Sequence, residues 1–327
     1  MITFFRPSRC EHPRRAAVVL GDGLVGAAII NALHQRGLPT PRTAPVHWEA
    51  RERLALQVAR IISKPDAYRL ASLDWVWAAG RCGFSSPSEE TGGEMEAFRG
   101  FLDGACRLRD RLGNGCTVRL HLISSAGGLF EGQRQVQPTS IPSPCRPYGI
   151  LKLAQENEAR ERMGAESLHS YRLSSVYGFI RARRRVGLIS ALISNVLHRK
   201  TTCFSGHLDT LRDYIWADDV GAFIAERIGA YRAQPSTMLL ASGRPATIFE
   251  IRELVQRALH RKALVHCLGK ASNSAHITFS RSVLADGLRV GSLETNIRRV
   301  AADALYVGQT GPANTECRYP TARRVLT

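Results

Sequence analysis

The sequence predicts a doubly wound parallel α/β sheet with a smaller mixed α/β region that binds substrate. Three observations indicate this fold. Short apolar runs typical of buried parallel strands alternate with helical stretches, a glycine-rich turn joins the first run to a helix, and paired hydroxyl side chains follow a later run. With 327 residues, the chain is long enough to bury a large core.

The first β-α unit runs from an apolar strand at 16–20, through a loop at 21–26, into a helical stretch at 27–35. The loop is a Gly-x-Gly-x-x-Gly sequence in the strand–loop–helix context that dinucleotide binding needs. Glycines let the backbone approach a pyrophosphate, which then lies at the helix N-terminus. We therefore predict a Rossmann fold and cofactor contacts from the whole loop: Gly21, Asp22, Gly23, Leu24, Val25 and Gly26.

The second strand is predicted at 45–48, where an acid at its end would bind the adenosine ribose of NAD. Glu49 is the nearest acid, but it equally suits the start of a helix over 49–62. Arg42 and Arg51 flank it and are candidates to receive the 2′-phosphate of NADP. The choice between NAD and NADP is therefore open.

Two further strands are predicted to end at the site. The run at 73–77 leads into Ala79 and Gly80, small residues that let the backbone lie against a cofactor. After a helix over 94–112, the run at 118–123 leads into Ser124 and Ser125. Hydroxyls at the carboxyl end of a strand mark the site of an open α/β sheet, although they also suit a turn that caps backbone groups.

Tyr148 and Lys152 follow Pro147, a residue suited to the start of a helix. Their spacing of four places both side chains on one helix face. A phenol titrates at about pH 10 in water, and an ammonium ion one turn away favours the phenolate. The pair can therefore exchange a hydroxyl proton while a hydride moves, but it also arises by chance on amphipathic helices.

The rest of the chain divides by pattern. Beyond a strand at 167–173 we predict helices at 186–197, from 217 and at 247–259, the last with a Thr247–Glu250 capping box, and strands at 211–216 and 238–242. The predicted units are a flexible arm (1–15), a dinucleotide-binding domain (16–178 and 212–242), a substrate-binding region (179–211 and 243–305) and a disordered tail (306–327).

Composition restricts the class of protein. The net charge of +17 would suit nucleic acid, an anionic ligand or a membrane surface, but the excess is Arg spread along the chain without interleaved aromatic residues. We therefore expect neither a nucleic-acid partner nor a membrane. The 8 cysteines have no metal-binding spacing and no secretory signal is recognised, so we expect reduced thiols, no metal and a cytoplasmic protein.

Four stretches together resemble the extended short-chain dehydrogenase/reductases, and among them the NAD-dependent epimerase/dehydratase group that acts on nucleotide sugars. The resemblance runs from about 16 to about 300. The stretches are the glycine loop, Ser124-Ser125 before 126–128, Tyr148 with Lys152, and Arg212-Asp213-Tyr214 leading into 218–220.

The resemblance implies a role for each residue. Tyr148 would be the acid/base, Lys152 would hold the nicotinamide ribose and stabilise the phenolate, and Ser125 would polarise the reacting oxygen. Arg212 would pair with a substrate phosphate, unless it forms only a surface ion pair with Asp213. The implied cofactor, NAD or NADP, would also contact Ala79, Gly80, Ser124, Tyr148, Lys152 and Ser175. Relatives commonly form homodimers through the tyrosine-bearing helix, so we expect a homodimer.

Departures from the family pattern reduce the number of reactions that we expect. Ala126-Gly127 stands where dehydratases carry an Asp-Glu pair, which disfavours dehydration. Ser175 stands where many epimerases have Asn, and Leu20 stands where many members have the first loop glycine. We expect an epimerase or keto-reductase acting on a sugar or nucleotide sugar. The alternatives are an NADPH-dependent carbonyl reductase with a non-nucleotide substrate and a non-catalytic dinucleotide-binding protein.

Overall fold

The computed structural model describes residues 1–5, 14–38, 42–62, 70–179, 187–228, 230, 236–268 and 275–310. The strands are β1 Ile2–Phe5, β2 Arg14–Leu20, β3 Arg42–Ala44, β4 Leu70–Trp77, β5 Thr117–Ser125, β6 Leu168–Leu173, β7 Ser175–Tyr177, β8 Thr202–Phe204, β9 Leu211–Trp216, β10 Thr237–Leu240, β11 Pro245–Thr247 and β12 Val265–Cys267. The helices are α1 Leu24–Gln35, α2 Arg51–Ala59, α3 Ser88–Leu112, α4 Ala126–Leu129, α5 Pro147–Met163, α6 Leu188–Leu197, α7 Ala217–Arg227, α8 Ile248–Leu259 and α9 Leu293–Thr310.

The central sheet has seven strands in the order β10-β6-β5-β4-β2-β1-β3. Strands β2, β4, β5, β6 and β10 are parallel, which confirms the predicted doubly wound fold. Alternation along β2 sends Val18 to one face and Val19 to the other. Val18 packs in a core with α2, α3 and α5, whereas Val19 packs in a core with α1 and α7.

Residues 2–5, 14 and 15 lie in strands rather than in the flexible arm predicted over 1–15. β1 lies antiparallel to β2 and also pairs with β3, and all four of its residues are buried. The prediction was wrong for 2–5 because Ile2, Phe4 and Phe5 are buried in the core. Residues 6–13 lie outside the described part. The second strand is also misplaced: it is β3 at Arg42–Ala44 rather than 45–48, and β1 separates it from β2.

A second region, in the part of the chain predicted to bind substrate, contains a three-stranded sheet in the order β11-β9-β7 and a β8–β12 pair, with α6, α8 and α9 around a separate core. The predicted boundaries therefore differ from the structure, since β7 and β9 belong to this region. Periodicity identified both strands but could not say which sheet each would join. Of the segment 212–242, α7 and β10 belong with the central sheet.

The start of α8 and the end of α9 can be compared with the predictions from the sequence. The capping box of α8 is confirmed: the Thr247 hydroxyl accepts from the Glu250 amide at 3.0 Å, and the Thr247 amide donates to the Glu250 carboxylate at 2.6 Å. α9 continues to Thr310, so the disordered tail predicted from 306 begins too early. Residues 311–327 and the basic segment 181–185 lie outside the described part.

Within the described ranges, no helix has the length and apolar character needed to cross a membrane. The same ranges contain no group of three or more His, Cys, Asp or Glu residues placed to hold a metal ion. The six described cysteines are free thiols.

Candidate active site

The glycine loop is shaped by contacts that exclude side chains. Gly21 has a φ of +101°, and a β-carbon there would lie 2.5 Å from the Ala78 carbonyl oxygen. A β-carbon on Gly26 would collide with the Gly21 carbonyl. Gly23, the N-cap of α1, faces open space. The loop therefore packs on the end of β4 and leaves the N-terminus of α1 accessible to a phosphate group.

Two of the side chains proposed to select NAD or NADP can be described by their surroundings. Arg51 bonds Asp103 at 2.8 Å and Glu96 at 3.2 Å on α3, so its guanidinium already has acidic partners. Glu49 is exposed and precedes α2, which begins at Arg51 rather than at 49. The insertion of β1 moves this whole segment one strand further from β2.

The two serines after β5 have different environments. Ser124 is buried, and its hydroxyl donates to Glu156, which forms an ion pair with Arg172 at 2.7 Å. The Ser124 hydroxyl is therefore committed to this internal network rather than to a cofactor. Ser125 is partly exposed, and its Oγ accepts from the Gly128 amide at 3.1 Å. The predicted turn cap is thus present at Ser125, and its hydroxyl proton remains able to donate to a ligand.

Tyr148 is brought to α4 by two glycines. A β-carbon on Gly149 would collide with the Gly128 carbonyl, and one on Gly128 would lie 3.1 Å from the Tyr148 ring. Only glycines allow α4 and α5 to approach this closely. The contact holds the Tyr148 ring against the turn that Ser125 caps.

Lys152 lies one turn further along α5, with its Nζ 5.6 Å from the centre of the Tyr148 ring. It is buried, and its Nζ donates to Glu94 Oε1 and to Gln155 Oε1, each at 2.9 Å. Burial alone would lower the pKa of Lys152, but the charge of Glu94 and the hydrogen bond to it raise this pKa above its ordinary value.

Glu94 is a site residue that sequence reasoning missed. Its Oε2 accepts from the backbone amides of Arg81 and Cys82 at 2.9 Å each, and a β-carbon on Gly80 would lie 3.0 Å from Oε1. Burial would raise the pKa of Glu94, yet Lys152 and the Cys82 amide lower it. The only sequence signal was an acidic residue within a helix, 58 positions from its lysine partner.

A cavity of about 350 Å³ lies against β7 and β9, and its lining reaches Gly127 in the turn that Ser125 caps, although Ser125, Tyr148 and Lys152 themselves do not line it. Ser175 and Arg212 line it as predicted candidates, together with Gly127 and apolar side chains that include Phe84 and Phe279. Arg146 lies beside Phe84 at the edge of this cavity. It forms an ion pair with Glu131 at 2.8 Å, and its guanidinium lies 4.3 Å from the centre of the Phe84 ring.

Arg212 enters this cavity rather than pairing with its neighbour. Its guanidinium donates to the backbone carbonyls of Leu211 and Ala275, and burial lowers its pKa. Asp213 points to the other side, where it accepts from the Ser242 amide and hydroxyl and from the Arg244 amide. The alternative of a surface Arg212–Asp213 ion pair is therefore wrong.

Part of the sequence matches the model of a known protein family. Residues 93–238 match the model of the NAD dependent epimerase/dehydratase family, the family that the sequence motifs resemble. The matched segment contains Glu94, Ser125, Tyr148, Lys152 and Arg212. A comparison with curated proteins gives no match.

Solved structures share the fold at low identity. UDP-glucose 4-epimerase of Thermus thermophilus, solved in complex with NAD, is 18% identical over 88% of this chain and 97% of its own, with a TM-score of 0.70. RMD from Pseudomonas aeruginosa, complexed with NADPH, is 17% identical over 88% and 97%, with a TM-score of 0.69. UDP-N-acetylglucosamine 4-epimerase of Bacillus cereus is 16% identical over 93% and 99%, with a TM-score of 0.67.

Proposed function

Since this chain carries the sequence pattern of the NAD-dependent epimerase/dehydratase family on a Rossmann fold, we propose that it is an NAD(P)-dependent sugar-modifying enzyme. Its reaction is epimerisation or keto-reduction at a secondary carbinol of a nucleotide sugar. The single observation that carries this proposal is that Tyr148 packs against the turn capped by Ser125 and has the buried Lys152 ammonium 5.6 Å from its ring centre. Their contacts run through Gly128, Gly149 and Glu94.

The glycine loop is the proposed cofactor cradle. Gly21 and Gly26 have no room for a side chain, and the open position at Gly23 leaves the α1 N-terminus for the pyrophosphate. Loop residues Asp22, Leu24 and Val25, with Ala79, Gly80 and Ser175, complete the proposed contacts. When bound, NAD(P) supplies the hydride acceptor and donor. Both NAD and NADP are candidates, and Arg51, whose guanidinium bonds Asp103 and Glu96, does not select between them.

The chain's own residues handle the proton. In the oxidative direction the substrate C–H leaves as hydride, and the O–H proton passes to the Tyr148 oxygen. Ser125 donates a hydrogen bond to the same substrate oxygen, and the Lys152 ammonium stabilises the phenolate through space. In reduction each transfer reverses, and Tyr148 returns the proton. An epimerase uses both directions on the two faces of one carbon.

The cavity supports an anionic, partly apolar substrate. Arg212 is a planar donor held at its wall by two backbone carbonyls, and a guanidinium of this kind can bind a phosphate in bidentate fashion. The similar proteins include enzymes described as UDP-sugar 4-epimerases, which suggests a nucleoside diphosphate sugar. A homodimer and a cytoplasmic location remain predictions.

Native mass spectrometry and a substrate panel test the proposal together. We expect the purified chain to retain or bind NAD(P), and to convert a UDP-sugar to its epimer, or a keto-sugar to the alcohol, at a rate that depends on Tyr148. Epimerisation would need no added reductant. If the chain binds neither NAD nor NADP, the proposed function is wrong.

A second candidate is an NADPH-dependent carbonyl reductase with a non-nucleotide substrate. The observation in its favour is the apolar part of the cavity wall, formed by Phe84, Ile277 and Phe279 beside Ser175. Calorimetry with UDP separates the two functions. Binding of UDP that is lost on Arg212 substitution favours the nucleotide-sugar enzyme, whereas NADPH-dependent reduction without UDP binding favours the reductase.

A further inference from the structure

Glu94 joins two parts of the site that the proposed mechanism treats separately. One carboxylate oxygen accepts from Lys152 Nζ on α5 at 2.9 Å, and the other accepts from the Arg81 and Cys82 amides in the loop after β4. The side chains of Glu94 and Lys152 are only 5% and 6% exposed. A buried ion pair anchored in this way is costly to build unless each hydrogen-bonding position is satisfied.

We propose that Glu94 is a positioning residue: it is the buried counter-ion that keeps Lys152 charged and fixes its ammonium beside Tyr148. This inference rests on the proposed function for its catalytic meaning, although the ion pair itself can be measured without turnover. Glu94 and Gln155 occupy two of the three Lys152 donors. The third donor is left for a ligand hydroxyl or for the Tyr148 oxygen.

The charges around Glu94 and Lys152 predict the direction in which loss of Glu94 changes the pKa of Lys152. The groups that face Glu94 and Lys152 are Tyr148 on α5 and Cys82 in the loop after β4, and Glu90 on α3 acts on Cys82. Both Tyr148 and Cys82 are neutral until they lose a proton. Glu94 is therefore the carboxylate that offsets the burial of Lys152, and its removal favours the uncharged amine.

The hydrogen bonds from the loop after β4 give Glu94 a second role. Because its other oxygen holds the amides of Arg81 and Cys82, the ammonium position is tied to the segment that begins with Ala79 and Gly80. A displacement of this loop by a bound ligand would be transmitted to Lys152 through one carboxylate. A role confined to loop anchoring would leave the proton affinity of Lys152 unchanged.

Lysine-selective ¹³C NMR tests the counter-ion directly, because the sequence has only five lysines. The Lys152 ε-carbon signal is assigned by its loss in Lys152→Arg. In the ligand-free wild-type chain we expect a titration midpoint above about 10.4, the ordinary lysine value. We expect Glu94→Gln to lower this midpoint by at least about one pH unit. Glu94→Asp keeps the negative charge, so its midpoint should stay close to that of the wild-type chain. An unchanged midpoint in Glu94→Gln would overturn the proposal.

The exposed Glu89→Gln on the same helix is the matched control and should leave the midpoint unchanged. If Glu94→Gln does not fold, the double variant Glu94→Gln/Lys152→Met decides the matter. A counter-ion role predicts that removal of both charges restores folding. Failure of the double variant as well would mean that Glu94 serves the loop alone, and would contradict the proposal.

The pH profile of kcat/KM then connects the pair to catalysis. Glu94→Gln should lose activity on the alkaline side within about pH 8–10, where wild-type, Glu94→Asp and Glu89→Gln retain it, because the uncharged amine no longer stabilises the phenolate. A lower plateau without an alkaline loss would indicate a merely structural role. If the NMR shift occurs but Tyr148 and Lys152 substitutions leave turnover intact, the proposed function fails and the ion pair stands.

Discussion

At the scale of single residues, substitution of Arg212 tests the proposal that its guanidinium binds the phosphate of a nucleotide substrate. Arg212→Lys keeps the charge but loses the planar pair of donors, and it also alters the bonds to Leu211 and Ala275. We expect UDP binding measured by calorimetry to weaken about tenfold, equivalent to about 1.4 kcal/mol. The control is Arg244→Lys, whose side chain is exposed and whose backbone amide continues to bond Asp213. Equal UDP affinity in the two variants would contradict a phosphate role for Arg212.

The distance between partners along the chain explains which site residues could be predicted from the sequence. Tyr148, Lys152, Ser125 and the loop glycines could be proposed from the sequence because each stands in a short motif, and their roles remain predictions. Glu94 was missed because its partner lies 58 positions away, where spacing carries no information. Ser124 was assigned to the cofactor, whereas its hydroxyl meets Glu156, a partner 32 positions away that only tertiary packing reveals.

At the scale of elements, α2 and α3 pack closely because two glycines face α2. A β-carbon on Gly104 would lie 2.5 Å from the Ala55 carbonyl, and one on Gly100 would lie 2.7 Å from the Arg51 carbonyl. This packing supports the helix that carries Glu94. The sequence predicted both helices, but it could not predict that these glycines mark their contact.

A matched pair of glycine substitutions on α3 tests this contact. Gly104→Ala should lower the free energy of unfolding by about 1–3 kcal/mol, because the added methyl group forces the helices apart. Gly92→Ala, on the same helix with open space around it, should raise that free energy by up to about 1 kcal/mol through helix propensity. Urea unfolding measures both. A stable Gly104→Ala would show that α2 can move away without cost.

Strand placement shows a second limit of the sequence at this scale. The alternation of apolar runs and helices was enough to predict β2, β4, β5 and β6 and their parallel arrangement. It was not enough for β1, since a four-residue strand has no periodic signal of its own. The register of β1 beside β2 depends on the burial of Ile2, Phe4 and Phe5 in cores formed by distant residues.

At the scale of the whole molecule, the central sheet has a polar cluster in its interior. Asp74 on β4 bonds Arg119 and His121 on β5, and the His121 ring stacks on His169 of β6 with centroids 4.8 Å apart. In the described part of the chain, neither ring nitrogen of His169 has a hydrogen-bond partner. Burial, followed by the charges of His121 and Arg119, lowers the pKa of His169 to about 3.

This cluster makes the stability of the fold dependent on pH. His169 is neutral when folded but binds a proton in the unfolded chain below about pH 6.5. The unfolded state therefore gains protons first, and the free energy of unfolding falls as the pH drops from about 6.5 toward about 3. Asp74, whose pKa is lowered mainly by its bonds to His121 and Arg119 against the opposing effect of burial, adds a further loss in more acidic solution.

His169→Phe tests this origin of the pH dependence. The phenyl ring can keep the stacking on His121 but cannot bind a proton. Urea unfolding should show stability at pH 7 equal to or greater than wild type, because two unbonded nitrogens are removed from the core. Between pH 6.5 and 5 the variant should lose less stability than wild type. Parallel losses in the two proteins would assign the effect to other groups.

The central claim is that Tyr148 moves the substrate proton while the cofactor exchanges hydride, and turnover of Tyr148→Phe tests it most directly. With NAD(P) and the nucleotide sugar that the wild-type chain converts, we expect kcat to fall by roughly 10²–10⁴-fold. UDP binding and the unfolding midpoint should be retained, and Tyr306→Phe, at an exposed position on α9, should match wild type. Turnover of Tyr148→Phe at the wild-type rate would contradict the claim.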